Sequence, residues 1–339
     1  MKKSLIALAV LSVSGVAMAQ SSVTLYGVAD AGIGKIKLNS TAAKPATDAH
    51  NKTEFISGGS TMSNGPSRVG VRGVEDLGGG LQVGFTFETG LNLNGGATEG
   101  SGGGFWGRQA NVSLISNWGT IKLGRQFTAG YNATAQYDLV GTANYNLQGL
   151  AYKYAGTNAA RTNSAFTYIT PNFSGITGQL SYITKTDELD FLGVNKASWD
   201  AAVLYANGPI AGALDVNKTA NSRTNFLVGG KYNFGNFIVA ASYTQASNYQ
   251  TKLRRRGFGI GGTALFGPFS VTLDVMRDTK NEWGPKKYTN ALVEVKYNLS
   301  KRTFLYGVYL RGDGDYDRAA GVVTHGSTNN YSLGIRHNF

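Results

Sequence analysis

The 339-residue chain contains no cysteine and only 6 prolines. Without thiols, disulfide staples, thiolate nucleophiles and thiolate metal sites are all excluded. Past the first residues no run of 18 apolar residues occurs, so no helix is available to cross a bilayer. Histidine is scarce: His50, His325 and His337 are the whole supply, and no serine has a histidine and an acid obviously placed beside it. No carboxylate pair stands out for general acid–base work, so the sequence carries no legible enzyme constellation and calls for no cofactor. Charged residues make only 15%, while glycine (47), tyrosine (18) and phenylalanine (16) abound. That profile is neither disordered nor helical, and it suits many strands joined by tight turns.

The first residues read as a leader. Met1-Lys2-Lys3 is a basic start, Leu5 to Val13 an apolar run too short to span, and Ala17-Met18-Ala19 an A-x-A site. Residues 1–19 are therefore expected to be a signal peptide and 20–339 a single domain. Losing Lys2 and Lys3 lowers the formal charge from +12 to +10.

From there hydrophobicity alternates with period two. Leu81, Val83, Phe85 and Phe87 are separated by polar or small residues, as are Trp199 to Tyr205, Phe226 to Tyr232, Phe237 to Tyr243 and Phe258 to Phe266. Phe269 to Val275, Ala291 to Tyr297, Phe304 to Leu310 and the closing Tyr331 to Phe339 repeat the pattern. Such runs are strands with two unlike faces.

Connections alternate too. Short turns such as "EDLGGG" (75–80), "SNWGT" (116–120), "NFGN" (233–236) and "NLSKR" (298–302) separate long polar stretches near 38–66, 90–105, 127–160 and 312–328. Short turn, long loop is the rhythm of an up-and-down barrel with unlike rims. Aromatics cluster beside the turns (Tyr168, Phe173, Tyr232, Phe237, Phe266, Phe269, Phe304), as an interfacial girdle requires. The polar faces carry more charge than a packed core absorbs. The expected fold is all-β: a transmembrane antiparallel up-and-down β-barrel of about sixteen strands, apolar faces outward.

Five segments carry a family resemblance: "SSVTLYGVADAGI", "SRVGVRGVEDLGGGLQVGFTFETG", "WGRQANVSL", "WGTIKLGRQFT" and "YSLGIRHNF". They resemble Gram-negative general porins of the β-proteobacterial type, in order along nearly the whole mature chain. The resemblance implies a homotrimer in the outer membrane, a water-filled pore in each subunit, and a third outer loop, here Phe127 to Ala160, folded inward. It also implies that the last strand closes the barrel against the first.

The family's constriction faces that loop with arginines, and Arg68, Arg108 and Arg161 match the pattern. Alternation puts Arg68 opposite Val69 and Val71, and Arg161 opposite Phe166 and Tyr168. Arg108 shares parity with Ala110 and Val112, which aims it at lipid unless a bulge intervenes. Arg72, Lys122 and Arg336 extend the basic face by the same extrapolation. The loop departs from the enteric pattern: from Gln126 to Ala160 its only acid is Asp138. Arginines faced by few carboxylates favour anions, so the expectation is passive diffusion of small anions and hydrophilic solutes. A substrate-specific uptake pore stays open beside it, given Tyr131, Tyr137, Tyr145, Tyr152 and Tyr154 in the loop.

Other motifs weigh less. "GFGIGG" (257–262) satisfies G-x-G-x-x-G, but no helix follows to make a nucleotide site. Lys252, Arg254, Arg255 and Arg256 form a basic cluster expected on an outer loop, meeting lipopolysaccharide phosphates rather than nucleic acid. Asp313, Asp315 and Asp317 resemble the start of a calcium loop without its closing glutamate, leaving a divalent ion open and no metal assigned.

Overall fold

The computed structural model describes residues 22–35, 53–99, 104–156, 160–184, 196–219, 222–248, 251–284, 286–313, 316–317, 322–323 and 327–339. The expected leader, His50, His325 and Asp315 lie outside the described residues, as do the side chains of Asp313 and Asp317.

Sixteen long strands form the wall. They are β1 (Ser22–Lys35), β2 (Ser67–Gly78), β3 (Leu81–Leu91) and β4 (Gln109–Ser116). Next come β5 (Gly119–Phe127), β6 (Arg161–Ile169), β7 (Ile176–Ile183) and β8 (Ser198–Asn207). Then follow β9 (Ile210–Lys218), β10 (Asn225–Asn233), β11 (Phe237–Ser247) and β12 (Arg254–Phe266). The circuit ends with β13 (Phe269–Asn281), β14 (Thr289–Asn298), β15 (Thr303–Asp313) and β16 (Ser327–Asn338). Every strand pairs antiparallel with its neighbours in sequence. The seam closes where Val28–Lys35 of β1 pairs with Tyr331–Asn338 of β16, and Gly27 and Phe339 exchange both backbone bonds. A closed wall has no free edge, so every backbone group finds a partner inside the bilayer.

Alternation sorts the side chains. Phe166, Ile260, Phe266 and Leu333 are exposed outward, while Asp30, Glu88, Asp200, Asp215 and Glu294 point inward. One strand inverts the expectation. On β15 the run Phe304, Tyr306, Val308 and Leu310 faces the lumen, and Leu305 and Tyr309 face out. Both faces of this strand are apolar, and the inner one packs on an apolar cluster that only tertiary structure creates. Phe304 therefore leaves the girdle, and the Lys296 ammonium lies 5.3 Å from the centre of its ring.

That cluster belongs to two inserted segments. The third loop folds inward as α1 (Ala129–Tyr137) and α2 (Leu147–Gly156). Thr128 caps α1, its Oγ1 accepting the Tyr131 N–H at 3.2 Å. In α2, Lys153, Tyr154 and Ala155 are left-handed (φ 48, 55 and 63), a costly run for non-glycine residues. The second insertion differs from the single outer loop expected over 38–66. Thr53–Ser57 pairs with the upper part of β1, and residues 58–66 then turn into the lumen. Met62 joins Tyr145, Leu147, Tyr152, Tyr306 and Val308 in a buried cluster between loop and wall. The apolar core of this protein thus lies inside the barrel and to one side.

Glycines make room for it. A Cβ at Gly257 would collide with Tyr152 Oη, one at Gly261 with Leu139 Cδ1 at 2.8 Å, and one at Gly229 with the Tyr137 ring. The "GFGIGG" motif is a seat for loop three.

Candidate functional site

The part of the lumen that carries the arginines is bounded by β2 to β6. Arg68 and Arg72 share one face of β2, with Gly70 between them. Arg72 stacks over the Tyr26 ring, its Cζ 5.1 Å from the centroid. Glu88 on β3 is the buried acid among them. Its Oε1 accepts the Arg108 Nε–H at 2.7 Å, its Oε2 accepts the Tyr26 hydroxyl at 3.1 Å, and the Arg68 Nε stands 3.5 Å from Oε2.

Arg108 reaches Glu88 despite its parity. Gln109 is the register partner of Glu88, yet the Arg108 N–H also donates to the Glu88 carbonyl at 3.1 Å. Two residues opposing one is the count of a bulge, and it re-aims the side chain.

Alternation does not place Arg161 either. Between β5 and β6 the register shifts at Gly124/Gln126, and Ser164 has φ 49. What positions Arg161 is Phe127: its guanidinium carbon lies 4.5 Å from that ring's centroid, and the ring stacks on Tyr131 of α1 at 4.4 Å. Tyr154 meets Tyr131 edge-on at 5.1 Å. The Arg161 Nε is buried with no hydrogen-bond partner among the described residues. Lys122 on β5 lies between Ser113 and Thr167, small polar neighbours.

Sequence reasoning missed Arg125. Its Nε donates to the Gly107 carbonyl at 2.7 Å, and it bonds Asn163, bracing the irregular turn before β4.

Asp138 departs from expectation. Its carboxylate accepts the Thr142 N–H and the Asn146 amide of its own loop, and its charged neighbours are Glu294, Lys296 and Lys231 rather than the arginines. A residue at the C-terminal cap of α1 folds back on its own turn. Burial pushes this carboxyl up to about 6, and nearby Glu294 adds to the rise.

The basic cluster at 252–256 is split by strand alternation. Arg255 points inward and is buried, its Nε 2.9 Å from Asp278 Oδ1, and its guanidinium also donates to the Ala151 carbonyl of α2 at 2.9 Å. Tyr152 donates to the same Asp278 Oδ1 at 2.8 Å. Arg255 is therefore a tie for loop three and not part of an outer patch. Lys252 stays exposed, and Arg254 and Arg256 are partly exposed at the start of β12.

At the other end of the loop, Asp200 of β8 accepts the Ala129 and Gly130 N–H groups at 2.8 and 3.4 Å, a carboxylate at the N-terminus of α1. Its position opposite Trp199 and Ala201 was readable as inward. Its partner was not.

A closed sixteen-strand wall, apolar outside, charged inside and narrowed by an inserted loop, defines a transmembrane β-barrel pore. The chain belongs to the Gram-negative porin family, whose model matches residues 4–319. It is 32% identical to Outer membrane porin protein 32 of Delftia acidovorans and 28% identical to an outer membrane porin protein of Bordetella pertussis, each over the full length of both chains. Among solved structures it resembles the anion-selective porin from Comamonas acidovorans, at TM-score 0.73 and 26% identity, covering 94% of this chain and all of that one. The trimer form of OmpT from Vibrio cholerae shares the fold at TM-score 0.67 and 16% identity. The protein is an outer-membrane porin.

Proposed function

We propose that this porin conducts small hydrophilic solutes by passive diffusion and prefers anions. The observation that carries the reading is charge excess: Arg68, Arg72, Arg108, Arg161 and Lys122 stand against two buried acids, Glu88 and, on β1 near Arg68, Asp30. Cations in a narrow lumen with low-dielectric walls act on passing ions more strongly than in bulk water. The relative from Comamonas is described as anion-selective, which supports the same reading. The function is that of a channel and not of an enzyme. Reversal potentials across a planar bilayer in a salt gradient test it: anion preference is expected, weakening at high salt as the charges are screened. Cation preference at low salt would sink the proposal.

One observation favours a more selective pore. The Arg161–Phe127–Tyr131–Tyr154 stack offers a cation beside aromatic faces. Currents that saturate, and that a bound solute blocks, would replace general diffusion with substrate-specific uptake.

The functional unit is read as a homotrimer, in keeping with the trimeric OmpT neighbour. Lys252, Arg254 and Arg256 are read as facing lipopolysaccharide phosphates at the outer rim. Cleavage of the leader after Ala19 predicts a mature chain beginning at Gln20, which N-terminal sequencing checks.

A further inference from the structure

The inward turn at residues 58–66 runs from loop three to the edge of the arginine wall, where the Pro66 carbonyl accepts the Arg68 guanidinium at 3.3 Å, and Asn64 is at its junction with loop three. It is buried, and every polar group it has is used. Its backbone N–H donates to Tyr306 Oη at 3.2 Å. Its amide Nδ2 donates to Tyr145 Oη of loop three at 2.6 Å and to Glu294 Oε1 of β14 at 3.3 Å, and the Tyr145 hydroxyl donates to the same Glu294 oxygen. Its Oδ1 and carbonyl accept the Arg336 guanidinium of β16 at 2.9 and 3.4 Å. One residue thus joins loop three to β14, β15 and β16.

The neighbouring contacts reinforce the junction without duplicating it. Asn144 of loop three donates to the Ser60 carbonyl and to Ser63 Oγ, both at 2.8 Å. Ser332 of β16 donates to the Met62 carbonyl at 2.7 Å, and the Met62 side chain is fully buried. None of these reaches Glu294 or Arg336.

We propose that Asn64 is a positioning and selectivity-determining residue: it seals the lumen between loop three and β14–β16, so that solutes pass only along the arginine wall. The chemistry behind the seal differs from that wall. Asp30, Glu294, Asp138 and Asp274 lie there with Arg336, Lys296 and Lys231, so the acids at least match the cations. A route opened on this side would not favour anions. Asn64 suits the post because an amide donates and accepts at once. An aspartate would set a second carboxylate against Glu294, and a leucine would fill the space and bridge nothing.

The inference rests on the channel reading above, and the test separates the two. The full-length protein, wild type and Asn64→Leu, is reconstituted in planar bilayers for single-channel conductance and reversal potential. The expected result is a higher conductance with transitions between two levels, and a reversal potential shifted toward cations. Tyr145→Phe, which keeps the ring in its apolar cluster but removes the hydroxyl bridge, is expected to shift both in the same direction. It decides the matter alone should Asn64→Leu fail to assemble. Unchanged conductance and selectivity in the assembled variants, or lower conductance from a loop that collapses into the open path, would overturn the proposal. A wild-type pore that prefers cations would instead overturn the anion reading, and a conductance rise in the variants would still stand.

Discussion

Two sides of one lumen handle charge in opposite ways. On the side covered by loop three and residues 58–66, most buried charges among the described residues have partners: Arg255 pairs with Asp278, Glu294 with Lys296, Tyr145 and Asn64, and Asp30 of β1 with Tyr306, while Asp274 keeps only a backbone N–H. Against β2 to β6, cations outnumber acids, and Arg72 among them is exposed. Burial without water makes an unpaired charge costly, so the covered side had to balance its signs. The open side keeps its water and can hold an excess. Where the barrel is filled, charge serves structure, and where it is wet, charge is available to solutes.

The largest effect should come from breaking the paired side. Arg255→Ala leaves Asp278 buried without its cation, at a cost of about 3–5 kcal/mol, typical for removing one partner of a buried pair. A drop in the denaturation midpoint of the folded protein measures it, and a midpoint unchanged within error would mean the tie to α2 is dispensable.

On the wet side, a comparable change should leave stability nearly untouched and alter selectivity instead. Replacing Arg68 or Arg161 by glutamine removes potential on the order of kT, roughly threefold in the anion-to-cation permeability ratio. Arg108 should do this and also lose stability, since it is paired with buried Glu88. Glu88→Gln carries the opposite sign: anion preference rises by a similar factor. If Glu88→Gln lowers it, the acid is not acting as the counter-charge of the wall.

The smallest effect is a pH dependence. Asp138 has its carboxyl raised to about 6 from 3.8, so between those values the folded protein holds a proton that the unfolded chain has released. Its contribution to loop stability is therefore full below pH 3.8 and is lost as pH rises through 6. In the channel, anion preference should decline slightly as pH rises through about 6 and the loop gains a negative charge. Asp138→Asn should flatten that step in the reversal potential, and a step of unchanged size would assign it to another group.

Much of the wall was legible because a strand in a bilayer obeys one rule. Lipid accepts only apolar side chains, so alternation writes itself into Phe258, Ile260, Leu273 and Leu333. The rule breaks where something other than lipid or water meets the strand. β15 is apolar on both faces because Met62 and Tyr145 press on it from within. Arg108 and Arg161 reach the lumen through a bulge and a register shift that leave no periodic trace. Asn64, in the loop-like "SNGPS", carried no signal at all.

The sequence by itself determined a barrel, its approximate strand number and its outward face, because each follows from local alternation and composition; the arginine-rich lumen was implied by the family resemblance. Only the tertiary structure decided which charges are spent on pairing and which stay open to solutes. That depends on where loop three and residues 58–66 come to rest, and their contacts join positions as distant in the chain as Asn64 and Arg336. Period two cannot encode a contact between segments that lie within the pore and belong to no strand.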